Sequence, residues 1–128
     1  MFMGEKKNGV FDLEERTGKF GEDIIDFAKT LPETIINKPL INQLVRSGTS
    51  LGANYMEANG AESKKDFVHK ISICKKEAKE TMHWLRMLAK ANPARKEDCG
   101  KLYQEVHELT KIFVKILSSC KKNSNKDN

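Results

Sequence analysis

Proline, aromatic residues and cysteine are all scarce in this chain, and long apolar runs are missing. Three prolines in 128 residues and an aromatic share of 7% leave few helix breakers and few strand formers. With Ala, Leu, Lys and Glu prominent, that balance points to an all-α protein. No apolar run approaches the roughly 20 residues that span a bilayer, so no membrane association is expected. The opening MFMGEKKNGVFDLEE lacks the apolar core and small-residue cleavage site of a signal peptide. A cytoplasmic protein is therefore expected. Cys74, Cys99 and Cys120 are odd in number, widely spaced and form no C-x-x-C pair. They are expected to be free thiols acting as small apolar groups, not redox or metal centres.

Catalytic constellations are missing too. The Glu-x-x-His element of di-iron bundles occurs once, at Glu80-Thr81-Met82-His83, whereas such a site needs two of them plus two further inward glutamates. Glu105-Val106-His107-Glu108 has the wrong spacing, and His69, His83 and His107 are scattered. Gly48-Thr49-Ser50-Leu51-Gly52 lies inside a helical pattern and lacks the Lys-Ser/Thr of a phosphate-binding loop. The expectation is a non-enzymatic protein with no catalytic residues, metal, cofactor or small-molecule substrate.

What is present is helical periodicity. Leu13, Thr17, Phe20, Ile24, Phe27 and Leu31 fall at alternating steps of four and three, one face of a helix that Pro32 ends. Gly18 and Gly21 inside it weaken that helix locally. A second helix is expected from Pro39 to about Asn59, with Leu40, Leu44, Leu51 and Tyr55 inward. Ser47, Gly48, Gly52 and Ala53 make it thin enough for close approach of a neighbour. Asn59-Gly60 reads as a stop through a left-handed cap. Ser63 caps a third helix reaching about Ala91, seamed by Phe67, Ile71, Cys74, Ala78, Thr81, Leu85 and Leu88. A fourth, from about Arg95 to Lys121, carries Leu102, Val106, Leu109, Phe113, Ile116 and Cys120. Four such helices with short connections predict an antiparallel up-down-up-down four-helix bundle over residues 12–121. A flexible N-terminus, residues 1–11, precedes it and a disordered polar tail, residues 122–128, follows.

The third helix has more than one face to account for. Ile73, Glu77, Glu80, Trp84 and Met87 share a second stripe, well round from the core seam. Either the helix is buried on a broad face with Trp84 at the core edge, or the stripe is an oligomer interface anchored on Trp84. The two glutamates need a basic partner when desolvated, and Arg46 is the candidate, in the same chain or the next. Lys64, Lys75, Lys79, Arg86 and Lys90 form a third set, with Lys65, Lys76, Arg95 and Lys96 extending it. Residues 63–96 hold ten Lys/Arg against three Asp/Glu, while residues 12–33 hold three against seven. A basic row suits nucleic acid or another anionic partner, although a solvated surface is the ordinary alternative. Asn54 and Glu57, one turn apart, are either structural, bonding backbone and a lysine of the third helix, or part of a polar rim.

The run Gln43-Leu44-Val45-Arg46-Ser47-Gly48-Thr49-Ser50-Leu51-Gly52-Ala53-Asn54-Tyr55-Met56-Glu57-Ala58 resembles a known bacterial family, as do Ser63-Lys64-Lys65-Asp66-Phe67 and Lys76-Glu77-Ala78-Lys79-Glu80-Thr81. These are the four-helix-bundle proteins encoded in 23S rRNA intervening sequences, sometimes described as ribosomal proteins. Their relatives include the accessory variability determinant of diversity-generating retroelements. The resemblance implies a cytoplasmic homopentamer with a basic surface, nucleic-acid binding and no enzymatic activity. Its motif positions here are Arg46, Asn54, Glu57, Ser63, Phe67, Glu77 and Glu80. Cys74, where a small alanine-like residue is usual, and Gly18 and Gly21 in the first helix depart from the family pattern. The reading is then a homo-oligomer that binds RNA or DNA through Lys64, Lys65, Lys75, Lys76, Lys79, Arg86 and Lys90. The alternative is a protein–protein adaptor docking an acidic partner.

Overall fold

The computed structural model describes residues 12–127, with side-chain environments through residue 123. The segment expected to be a flexible N-terminus, residues 1–11, lies outside the described residues. Four helices and no strand occur among the described residues: α1 (Leu13–Thr30), α2 (Asn37–Asn59), α3 (Lys64–Ala91) and α4 (Lys96–Asp127). None is long and apolar enough to cross a membrane.

Local chemistry sets most of the boundaries. Asp12 caps α1 by accepting from the Glu15 amide at 3.1 Å, and Ser63 caps α3 by accepting from Asp66 at 3.0 Å. α2 begins at Asn37, two residues before Pro39, after a turn in which the Thr34 hydroxyl accepts from the Asn37 amide at 2.9 Å; Ile36 at the cap position makes no side-chain capping bond. Pro39 then lies within the first turn, where a missing N–H costs no intrahelical bond. α2 does stop at Asn59-Gly60, but not through a left-handed cap. Gly60 has φ −93°, and its amide and that of Ala61 turn back to Met56 and Ala58. A short 3₁₀ turn, Pro93–Arg95, leads into α4.

The far end of α4 also differs from the sequence reading. The helix passes Lys121 and runs through the segment read as a disordered polar tail, to Asp127. No Gly or Pro follows Cys120 to break it, and each further residue adds one backbone bond.

Contacts between α2 and α3 run in opposite order. Along α2, Ser47, Leu51 and Glu57 meet Thr81, Cys74 and Lys70 of α3. α2 packs on α1 and α3, and α4 packs on α3 and more lightly on α1. The predicted seams meet in one core containing Phe20, Leu51, Tyr55, Phe67, Leu85 and Phe113, each at most 1% exposed. Cys74 belongs to it: burial pushes its thiol up to about 12, leaving a neutral apolar filler.

The glycines of α1 and α2 interlock. A methyl at Gly48 would stand 3.0 Å from Ile24 Cγ1, and one at Gly52 would stand 3.5 Å from the Gly18 amide nitrogen. Gly21 in turn lies under Thr49. The helix propensity lost at Gly21 is thus the cost of letting α2 approach closely. At the opposite end, Asn37 and Asn92 exchange two amide hydrogen bonds of 2.9 Å, tying the α1–α2 connection to the end of α3.

Candidate nucleic-acid interface

α3 presents two polar edges, and the one facing α2 is an ion-pair network. Arg46 Nη1 donates to both carboxylate oxygens of Glu77, at 2.9 and 3.3 Å, and Nη2 donates to Glu80 Oε2. Its Nε donates to Gln43 Oε1 at 3.1 Å, so every guanidinium nitrogen is engaged. Ser50 Oγ donates to Glu77 Oε2 at 3.1 Å, and Trp84 Nε1 donates to Glu80 Oε2 at 2.9 Å. The stripe read as an oligomer interface is therefore drawn largely into its own chain. Glu77 is buried, Trp84 is half-buried against the core, and Arg46 is their intrachain partner. Ile73 and Met87 are half-buried at its two ends.

Glu80 is held below its ordinary pKa of 4.5, first by the indole N–H of Trp84 and then by Arg46. A carboxyl with a depressed folded-state value stabilises the fold above its unfolded value, and that contribution is lost as pH falls through the lower folded value. Trp84→Phe removes the leading cause while keeping an aromatic ring. It is expected to move the Glu80 titration up towards 4.5, readable by carboxyl NMR, so that the variant is less stable at neutral pH but loses less stability on acidification than the parent protein.

The outward edge of α3 carries the predicted nucleic-acid residues. Lys64, Lys65, Lys76, Lys79, Arg86 and Lys90 are exposed and Lys75 is half-buried. None of the seven forms an ion pair among the described residues. Arg16, Lys19, Lys70, Arg95, Lys101 and Lys111 all do, through Glu105, Asp23, Glu57, Asp98, Glu97 and Glu108. The reason is local. The two glutamates that could offset the row, Glu77 and Glu80, are turned toward α2 and consumed by Arg46. The third acid of α3, Asp66, acts on Lys70.

Some expectations resolve toward structure. Lys70 pairs with Glu57 at 2.6 Å, so Glu57 ties α2 to α3, whereas Asn54 donates to the Ser50 carbonyl of its own helix at 3.0 Å. Arg95 leaves the basic row: it bonds Asp98 and Thr30, each at 2.8 Å, and its guanidinium lies 5.0 Å from the Phe27 ring centre. Lys96 remains exposed.

An aromatic neighbour of the basic row went unrecognised in the sequence. Between α3 and the start of α4 lies a groove of about 400 Å³, lined by Leu85, Arg86, Ala89, Lys96, Cys99, Gly100 and Tyr103. Tyr103 is 39% exposed. Its position one helical turn after Cys99 was visible, but the facing residues of α3 were not.

The family model described as 23S rRNA-intervening sequence protein matches residues 12–115. Among solved structures, the chain is similar to a protein with unknown function from the S23 ribosomal protein family of Bacteroides thetaiotaomicron VPI-5482. The two are 30% identical, with a TM-score of 0.72, over 82% of this chain and 97% of that one. No curated protein matches. The shared fold and the matched span agree: this chain belongs to the 23S rRNA-intervening sequence protein family.

Proposed function

We propose that this antiparallel up-down-up-down four-helix bundle is a non-enzymatic, cytoplasmic homo-oligomer that binds nucleic acid, RNA or DNA, through the outward face of α3. The observation that carries the reading is the row of seven cations without ion pairs, in a bundle whose other basic residues are so often paired. Uncompensated lysines along one helix match a phosphate backbone, where each contact releases a condensed counterion. The oligomer interface is assigned to the partly exposed apolar edge of Ile73, Trp84 and Met87, beside the Arg46–Glu77–Glu80 network.

The test is binding to labelled RNA and DNA, duplex and single-stranded, across a salt series, with mass from light scattering on the same sample. The expected result is a mass that is a multiple of 14.6 kDa, five chains on the pentamer reading. Affinity should fall linearly on logarithmic axes by roughly 0.9 per phosphate contacted on duplex DNA. An oligomer indifferent to every nucleic acid would overturn the reading in favour of an adaptor for an acidic protein. A mass of one chain would remove the oligomer.

A further inference from the structure

The α3–α4 groove joins three kinds of surface that the basic row alone does not have. Its floor is apolar, with Leu85 and Cys99 almost fully buried. Its walls carry two exposed cations without ion pairs among the described residues, Arg86 on α3 and Lys96 on α4. At one end stands the Tyr103 ring, 39% exposed and 6.4 Å from the His107 ring centre, with 35° between the planes. The space is open where it matters: a methyl placed on Gly100 meets nothing within 4 Å. Burial pushes the Cys99 thiol up, so the sulfur is floor rather than nucleophile.

A partly exposed aromatic ring beside two cations and an apolar floor suits a planar heterocycle attached to a phosphate. Bases stack on aromatic side chains in a way that tolerates any sequence, and basic side chains track the backbone that joins them. A base inside a duplex is covered by its neighbours on both faces and offers only an edge, so it cannot use the ring. Arg86 belongs both to the groove and to the α3 row, which makes the two surfaces continuous. Resting on the nucleic-acid reading above, we infer that the groove receives one unpaired base of a bound strand, stacked on Tyr103 with its phosphate between Arg86 and Lys96.

The test compares the full-length protein with Tyr103→Ala, Tyr103→Phe and Gly100→Leu, using labelled oligouridine and a labelled RNA duplex across a salt series. Loss of one stacked base is expected to weaken oligouridine binding by about 10- to 100-fold in Tyr103→Ala, with the salt slope unchanged because no phosphate contact is lost. Tyr103→Phe keeps the ring and should keep the affinity. Gly100→Leu keeps the ring but fills the groove, and should lose affinity as Tyr103→Ala does. Duplex binding should be the same in all four proteins. If Tyr103→Ala and Gly100→Leu bind oligouridine like the parent, while Lys75→Glu with Lys79→Glu abolishes binding, the groove is not used. The α3 face then stands without it. If the parent protein binds neither probe at low salt, both readings fall together.

Discussion

Replacing Lys75, Lys79 and Arg86 together by Glu is expected to remove nucleic-acid binding at physiological salt, a loss on the order of 10³-fold or more. Three counterion-releasing contacts disappear and three repulsive charges take their place. Where residual duplex binding can be measured at low salt, its salt slope should be smaller by about 3. Stability should barely move, because none of the three is ion-paired among the described residues; two are exposed and one is half-buried. Surface changes of that kind stay within roughly 0.5 kcal/mol. Urea unfolding beside a salt titration of binding separates the two effects. Unchanged affinity and slope in the triple variant would show that phosphate is held elsewhere, and a collapse in stability would mean the face is structural.

Arg46→Met should have a different signature, a stability loss at the α2–α3 contact. The carboxylate of Glu77 has a side-chain exposure of 7% and would be left with Ser50 as its only side-chain donor among the described residues. Breaking a fully buried pair from one side costs about 3–5 kcal/mol, since the orphaned charge keeps its desolvation penalty. Arg46 itself is 48% exposed, so water reaches part of the vacated site and about 2–3 kcal/mol is expected. For a chain this size that is a fall in melting temperature of about 10 °C. Replacing both partners, Arg46→Met with Glu77→Leu, should recover much of the loss, because no buried charge then remains. A double variant no better than Arg46→Met would mean that the guanidinium mattered for its links to Glu80 and Gln43 rather than for neutralising Glu77.

The two predictions are connected through α3. By drawing Glu77 and Glu80 toward α2, Arg46 leaves the outward lysines without an ion pair among the described residues, and only Lys76 still acts on Glu80. The same network that stabilises the α2–α3 contact therefore gives the opposite edge its unrelieved positive field. Trp84 takes part in both the network and the partly exposed apolar edge assigned to assembly, through its indole N–H and its ring respectively.

The sequence by itself determined the four helices and the faces they bury. Steps of three and four residues place Phe20, Leu44, Ile71 and Val106 on the inside whatever the neighbours are, since the 3.6-residue turn is a local property. It also marked the lysine row, because side chains on one helix keep their spacing. Arg46 was legible as a partner for Glu77 and Glu80, but whether in the same chain was not; only packing of α2 on α3 decided that. Gly21 looked like a defect in α1 until α2 came within reach, whereas a methyl on Gly18 would meet nothing within 4 Å. The α4 end was misread because loss of apolar residues does not stop a helix that meets no breaker. The Tyr103 groove needed tertiary structure most. It exists only because the register of α3 against α4 sets Arg86 and Ala89 opposite Gly100 and Tyr103, and the relative register of two helices is set by core packing rather than by the spacing within either one.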